Sequence, residues 1–341
     1  MKKMSFLLVF SLILFSSSCS YMVKNEKHRV YSKSEYGVDK FVVVGGYNVH
    51  YVEVGEGDPV FLISGAFSTY RHWNRVVPRL SRHFKLYCID YLGTGDSDKP
   101  VSGFDYTIEE QADLMVKMME ALQISKVHIL GVSYGGAIAL NLAARYPDKV
   151  DKIVSIEGNG INGNRHQKIS YGPMQDLLRV PIFGEVPIGL IRSGVADKLV
   201  TKSVMGKAWE DLSETEKKEV KRIVSKDNRT ASRISWLRIC QTLKTSKDFT
   251  EEVKRISTPI LYLYGGNSDY HEMAKGNAEF LKAHLADVKV VRFEDGIHDL
   301  ELQKPEDVAT VVLEFLGQDG TNGRNPSNSK PPAHRQAPNP K

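Results

Sequence analysis

Residues 128–140, "HILGVSYGGAIAL", run from an apolar stretch into Ser133, which stands between Gly131 and Gly135, and on into small residues. Glycines two positions either side of a serine suit a sharp reversal from strand to helix, where a Cβ would find no room. Such a turn forces strained backbone angles on the serine and lifts its hydroxyl out at a helix N-terminus. There the free N–H groups and the helix dipole favour developing negative charge. The chemistry this points to is nucleophilic attack. The bland alternative is a glycine-rich turn with a serine N-cap.

A serine hydroxyl is a weak nucleophile without a base, and the base needs an acid to orient it. Asp269 falls in "GGNSDYH", just past the strand-like "TPILYLY". His298 falls in "FEDGIHDLELQKPEDVATVVLEFL", between the last strand and the last helix. Asp295 and Asp299, which flank that histidine, read as solvated loop residues. The remaining histidines (His50, His72, His83, His128, His166, His271 and His284) have no partner pattern and read as surface or core residues.

The elements that must position these groups follow from pattern. "FVVVGGYNVHYVEVG" alternates around Gly45-Gly46 as a hairpin, while "DPVFLISG" and "FKLYCID" are short buried strands. "TIEEQADLMVKMMEALQI" has helical spacing, with Thr107 and Glu110 in capping-box register. "KVHIL" is a strand, "GAIALNLAARY" a helix stopped by Pro147, and "KVDKIVSIEG" a strand. "TPILYLYGG" and "VKVVRFEDG" are strands and "PEDVATVVLEFLG" a helix. Strands alternating with helices give an α/β class with a mostly parallel sheet covered on both faces. Residues 160–254 break the rhythm and look helical throughout, with Ser213 and Glu216 as a second capping box. They are expected to form an inserted helical cap. The core is then 39–159 and 255–317.

Bulk properties narrow the function classes. The chain has 341 residues and a formal charge of +5, but Lys2, Lys3 and a basic tail account for the excess. Residues 19–317 carry equal numbers of acidic and basic groups, so no nucleic-acid surface is expected. Residues 1–18 read as a signal peptide: two lysines, an apolar run from Phe6 to Phe15, then small residues. The run falls short of the roughly 20 residues a spanning helix needs. "SSSC" resembles a bacterial lipobox, with Ser16 where an aliphatic residue is usual. Lipidation of Cys19 would make this an exported, cell-envelope protein tethered to a membrane through residues 19–38. Cys88 and Cys240 read as unpaired apolar residues. The tail 318–341, rich in Pro, Asn and Gly, reads as disordered.

Taken together, "GYNVHYVEVGEGDPVFLISG", "YCIDYLGTGDSDKP", "VHILGVSYGG", "PILYLYGGNSD" and "GIHDLELQKPEDVATVVLEFL" resemble, in order and interval, an α/β-hydrolase-fold protein with a helical cap, from about residue 40 to 317. The resemblance implies a triad in the order Ser133, Asp269, His298, with Glu157 as the other position for the acid. It also implies an oxyanion hole from the main-chain N–H groups of Ala66 and Tyr134. The chain departs from the family at Ser64-Gly65, where His-Gly is common. "GTGDS", residues 93–97, matches a frequent loop that shapes the pocket rim. A serine elbow disfavours the aspartate-nucleophile chemistry of epoxide hydrolases and dehalogenases.

The expected function is a serine hydrolase of a carboxylic ester or related small acyl compound. A carbon–carbon bond hydrolase and a non-catalytic ligand-binding relative are the alternatives. Phe67, Ile182, Phe183 and Ile188 are candidates to line an acyl pocket, although the last three serve equally well as the cap's own packing. Nothing shows metal-ligand spacing and no G-x-G-x-x-G follows a strand, so neither metal nor cofactor is expected. Oligomeric state is not legible.

Overall fold

The computed structural model describes residues 33–161, 172–245 and 248–317. The expected signal peptide, Cys19 and the tail lie outside the described residues. Ile63 and Phe61 on β3 (Asp58–Ile63) point to one side of a sheet and Val60 and Leu62 to the other; all four are fully buried. That two-sided burial is what a continuous apolar run dictates once side chains alternate along a strand. The same holds for β5 (Val127–Val132) and β7 (Ile260–Gly265), buried at every position.

The sheet has eight strands in the order β1-β2-β4-β3-β5-β6-β7-β8. The others are β1 (Val38–Val44), β2 (Tyr47–Val54), β4 (Phe84–Ile89), β6 (Val150–Ile156) and β8 (Val288–Phe293). β2 runs antiparallel to both its neighbours, and every pair from β4 to β8 is parallel. The expected hairpin is β1–β2, with Phe41 opposite His50.

One face of the sheet is covered by the helices Ile108–Ala121, Tyr134–Arg145 and His271–His284, through side chains such as Met115, Ile138 and Leu281. The other is covered by the short turns Tyr70–Arg75 and Val77–Leu80 and the last helix, Pro305–Leu316, through Trp73, Leu80 and Val312. The capping boxes of Thr107 with Glu110 and of Ser213 with Glu216 are both formed. The helix His271–His284 was not anticipated, although Ala274, Ala278 and Leu281 give it a legible buried face. Cys88 and Cys240 are buried and unpaired.

Strand order reverses at β3: β4 lies on one side and β5 on the other. The loops after β3 and β5 therefore meet, at the place where open parallel sheets leave a crevice at their carboxyl ends. Between β6 and β7 the described residues form helices, the longest being Glu214–Asn228. This cap has small apolar clusters of its own, one of which takes Ile297 and Leu302 from the core. The last residues of the expected tether are not free. Glu35 pairs with Arg222 and with Lys226, at 2.9 Å, on the long cap helix.

Candidate active site

Ser133 occupies the turn between β5 and the helix Tyr134–Arg145 with φ 53° and ψ −115°. A non-glycine residue there is strained, and three contacts hold it. Its N–H donates to the Ile156 carbonyl at 2.8 Å, its carbonyl accepts from the Ala137 N–H at 2.9 Å, and the first helical turn lies on the end of β3. A Cβ on Gly135 would overlap the carbonyl oxygens of Ile63 and Ser64, and one on Gly131 would overlap the Gly135 carbonyl. The glycines are thus required by close approach.

The loop after β3 is closed on itself. Ser64 Oγ donates to the Thr69 carbonyl at 2.6 Å, and the Ser68 N–H to the Gly65 carbonyl at 3.2 Å. Ser64 is buried, and its hydroxyl organises the loop. Gly65 brings the loop against the serine: a Cβ there would lie 3.5 Å from Ser133 Cβ. Ala66 is next in this loop, and Tyr134 opens the helix, whose first N–H groups lack intrahelical acceptors.

Glu157 comes directly after β6 with φ 47°, its backbone fixed by an N–H···O bond to Leu263 at 2.9 Å. Its carboxylate is fully buried and accepts three hydrogen bonds. The Gly265 N–H reaches Oε1 at 2.8 Å, while Ser268 Oγ at 2.7 Å and His298 Nδ1 at 2.5 Å reach Oε2.

The His298 loop is pinned to the end of β7, with Gly266 N–H on the Phe293 carbonyl at 2.7 Å and Asn267 N–H on the Gly296 carbonyl at 2.8 Å. Tyr270 packs edge-on to the imidazole, centroids 4.6 Å apart. Burial disfavours the imidazolium. The adjacent Glu157 charge and hydrogen bond outweigh it, with Asp299 and Glu301 adding to them, and raise the pKa to about 9.

Of the two acids the sequence offers, the structure brings Glu157, not Asp269, to the His298 imidazole. Asp269 is exposed and its carboxylate accepts no hydrogen bond among the described residues. It stands one residue beyond Ser268, the β7-loop side chain that turns in to the Glu157 carboxylate, and faces a cavity of about 380 Å³. Met205 and Ala208 of the cap, Ile297 and His298 also line that cavity.

The pocket candidates separate. Phe67, with φ 68°, lies 4.6 Å ring to ring from Trp236, where cap meets core beside the serine loop. Ile188 is buried in the cap's own cluster with Leu178, Ile191 and Ala231. Phe183 is 64% exposed on the opposite side of the helix Pro181–Ser193, with Val186 and Leu190. Phe183 therefore turns away from the cluster, because that helix spends its inward face on Ile188 and Ile191. The Ile182 side chain lies outside the described residues.

Two clusters of acids with histidine, invisible as sequence spacing, have donor atoms within 4.8 Å of one another: His50 with Asp90 and Asp96, and His72 with Asp299 and Glu301. The first is a structural clamp. His50 bridges Asp90 at 2.8 Å and Asp39 at 3.1 Å, and Asp90 also accepts the Tyr70 and Asp96 N–H groups, fixing the 93–97 loop.

Comparison with known proteins agrees with this frame. Residues 58–187 match the alpha/beta hydrolase fold family. A 2-hydroxy-6-oxo-2,4-heptadienoate hydrolase of Pseudomonas putida is 30% identical over 128 residues, 37% of this chain and 46% of that protein. A soluble epoxide hydrolase of a Corynebacterium is 31% identical over 115 residues, 34% of this chain and 40% of that one. The chain thus spans about half the length, or less, of these curated relatives. The enol-lactonase of Burkholderia xenovorans LB400 superposes with a TM-score of 0.68 at 20% identity, covering 82% of this chain and all of that one. With its eight-stranded, mostly parallel sheet flanked by helices and these likenesses, the chain has the α/β-hydrolase fold.

Proposed function

We propose that the protein is a serine hydrolase of carboxylic esters or related acyl compounds, with Ser133 as nucleophile, His298 as base and Glu157 as the orienting acid. The buried Glu157–His298 contact at 2.5 Å, beside a serine held in an elbow, is the observation that carries this reading. Glu157 fixes the proton on Nδ1, leaving Nε2 to take the Ser133 proton as the hydroxyl attacks the carbonyl carbon. The tetrahedral oxyanion is held by the N–H groups of Ala66 and Tyr134, each worth roughly 3–4 kcal/mol in the transition state. His298 returns its proton to the leaving group, and water, activated by the same base, releases the acyl-enzyme. An aspartate-nucleophile mechanism has no support at this elbow, whatever the likeness to an epoxide hydrolase.

A fluorescent fluorophosphonate and a panel of p-nitrophenyl esters from acetate to palmitate test the reading. Serine-dependent labelling with ester turnover, abolished in Ser133→Ala, is the expected result. A well-folded wild type that takes no label would overturn it. Carbon–carbon cleavage of a β-diketone-like substrate is the second reading, favoured by the named activity of the Pseudomonas relative. Labelling without ester turnover would promote it. Export and membrane tethering through a lipidated Cys19 are part of the same proposal. Metabolic labelling with a palmitate analogue, lost in Cys19→Ala, is the check.

A further inference from the structure

His72 stands outside the proposed triad, yet its imidazole joins three parts of the molecule that the triad depends on. The side chain is only 4% exposed. Its Nε2 lies 3.0 Å from Asp227 Oδ2, near the C-terminus of the long cap helix. Its Nδ1 lies 3.3 Å from Glu301 Oε1 and 3.9 Å from Asp299 Oδ1. Asp299 follows His298 directly, and Glu301 is two residues further on. His72 itself belongs to the Tyr70–Arg75 turn that follows the loop carrying Ala66.

Asp227 is anchored to that same loop. Its carboxylate accepts from Thr69 Oγ1 and, at 3.4 Å, from the Thr69 N–H, while the Thr69 carbonyl accepts Ser64 Oγ. One carboxylate of the cap thus touches both His72 and the strap of the oxyanion loop.

Both ring nitrogens face carboxylates. Ionised carboxylates only accept, so against them both nitrogens carry hydrogen and the ring is an imidazolium; burial raises the Glu301 pKa, and the His72 hydrogen bond and charge oppose that rise. Desolvation opposes that charge, but hydrogen bonds to Asp227 and Glu301 outweigh it and hold the pKa well above the ordinary histidine value. Arg71, 1% exposed, is the other buried cation of the cluster, and its charge acts on Asp227 as well. His72 therefore faces Asp227, Asp299 and Glu301, and Arg71 acts on the first of them. Glu301 is fully buried and its Oε2 has no hydrogen-bond partner among the described residues, which leaves its ionised form dependent on His72.

We propose that His72 is a positioning residue, a buried cation that fastens the cap helix through Asp227 and the His298 loop through Asp299 and Glu301, so that cap, oxyanion loop and base are set together. The proposal rests on the triad reading for its effect on rate, but the mechanical link stands on geometry alone. His72→Gln keeps the size and one donor but removes the charge and the second donor. Misplacing a reacting group by about 1 Å costs on the order of 100-fold in rate.

Full-length His72→Gln and Asp227→Asn, singly and together, would be followed by ester kinetics and by hydrogen–deuterium exchange. The expected result is kcat lowered about 10- to 100-fold with KM for a small ester nearly unchanged. Exchange should speed up together in residues 214–228 and 298–303. The double variant should lose no more than the worse single one, because both cut the same link. A role confined to stability would lower the melting temperature and leave kcat of the folded enzyme and the exchange of the distant loop unchanged; that outcome overturns the proposal. So does a stoichiometric divalent metal in the purified protein, since His72, Asp299 and Glu301 would then be its ligands. Exchange needs no turnover, so correlated exchange in a protein that takes no fluorophosphonate label would reject the triad reading and keep the link.

Discussion

Glu157 Oε2 lies 2.5 Å from His298 Nδ1 although the two residues follow strands that are not neighbours: Glu157 comes directly after β6, His298 after β8, and β7 runs between. The glutamate crosses the end of β7 and takes the Gly265 N–H on the way. An aspartate at 157 would fall short by one methylene.

Glu157→Gln should therefore lower kcat by about 10⁴, as expected when the orienting acid can no longer fix the tautomer, with the protein still folded. Glu157→Asp should be intermediate. Asp269→Asn should stay near wild type. Steady-state ester kinetics on the three variants distinguishes the two acids directly, and a crippled Asp269→Asn beside an active Glu157→Gln would reverse the assignment.

The raised His298 pKa sets a pH profile. A general base acts as the neutral imidazole, so kcat/KM should climb with pH through the neutral range and level off near about 9. The Glu157–His298 pair stabilises the fold in the opposite sense. Its contribution is complete below the unfolded histidine value of about 6.5 and is lost as pH rises through about 9. In Glu157→Gln the rising limb should move to lower pH. Profiles of kcat/KM from pH 5 to 10 for both proteins check this.

Gly135→Ala should destabilise the protein by about 1–3 kcal/mol or prevent folding, because the new methyl meets backbone carbonyls that cannot step aside. Gly65→Ala meets only ordinary contacts, the nearest being Ser133 Cβ at 3.5 Å. It should cost less stability than Gly135→Ala while slowing acylation. Urea unfolding paired with the rate of fluorophosphonate labelling separates the two effects.

Asp90 is fully buried, and although burial favours its neutral form, the His50 hydrogen bond and charge, Arg71 and the Tyr70 N–H keep its pKa below the ordinary value. Its stabilisation is present above the unfolded carboxylate pKa and is lost as pH falls through the lower, folded one. Asp90→Asn at pH 7 breaks a buried pair and should cost about 3–5 kcal/mol in urea unfolding.

The elbow was readable in the sequence because its requirements are local: two glycines, a serine and a strand handing over to a helix. The same is true of both capping boxes and of the buried strands. The pairing of His298 with Glu157 rather than Asp269 was not, because it turns on reach across a neighbouring strand. Asp269 sits in a suitable loop but points outward, while Ser268 beside it turns in. Phe183 looked like a pocket residue for a related reason. The helix Pro181–Ser193 is apolar on two sides, and pattern alone does not say which one the cap buries. His72 and its three carboxylates come from separated segments, so no spacing rule brings them together.

Ser268 Oγ and His298 Nδ1 share one oxygen of Glu157. Two strand ends therefore converge on the place where a negative charge is needed, and a carboxylate supplied from either serves the same imidazole. A side chain at position 268 is thus within reach, from the end of β7, of the same oxygen that meets the imidazole from β6.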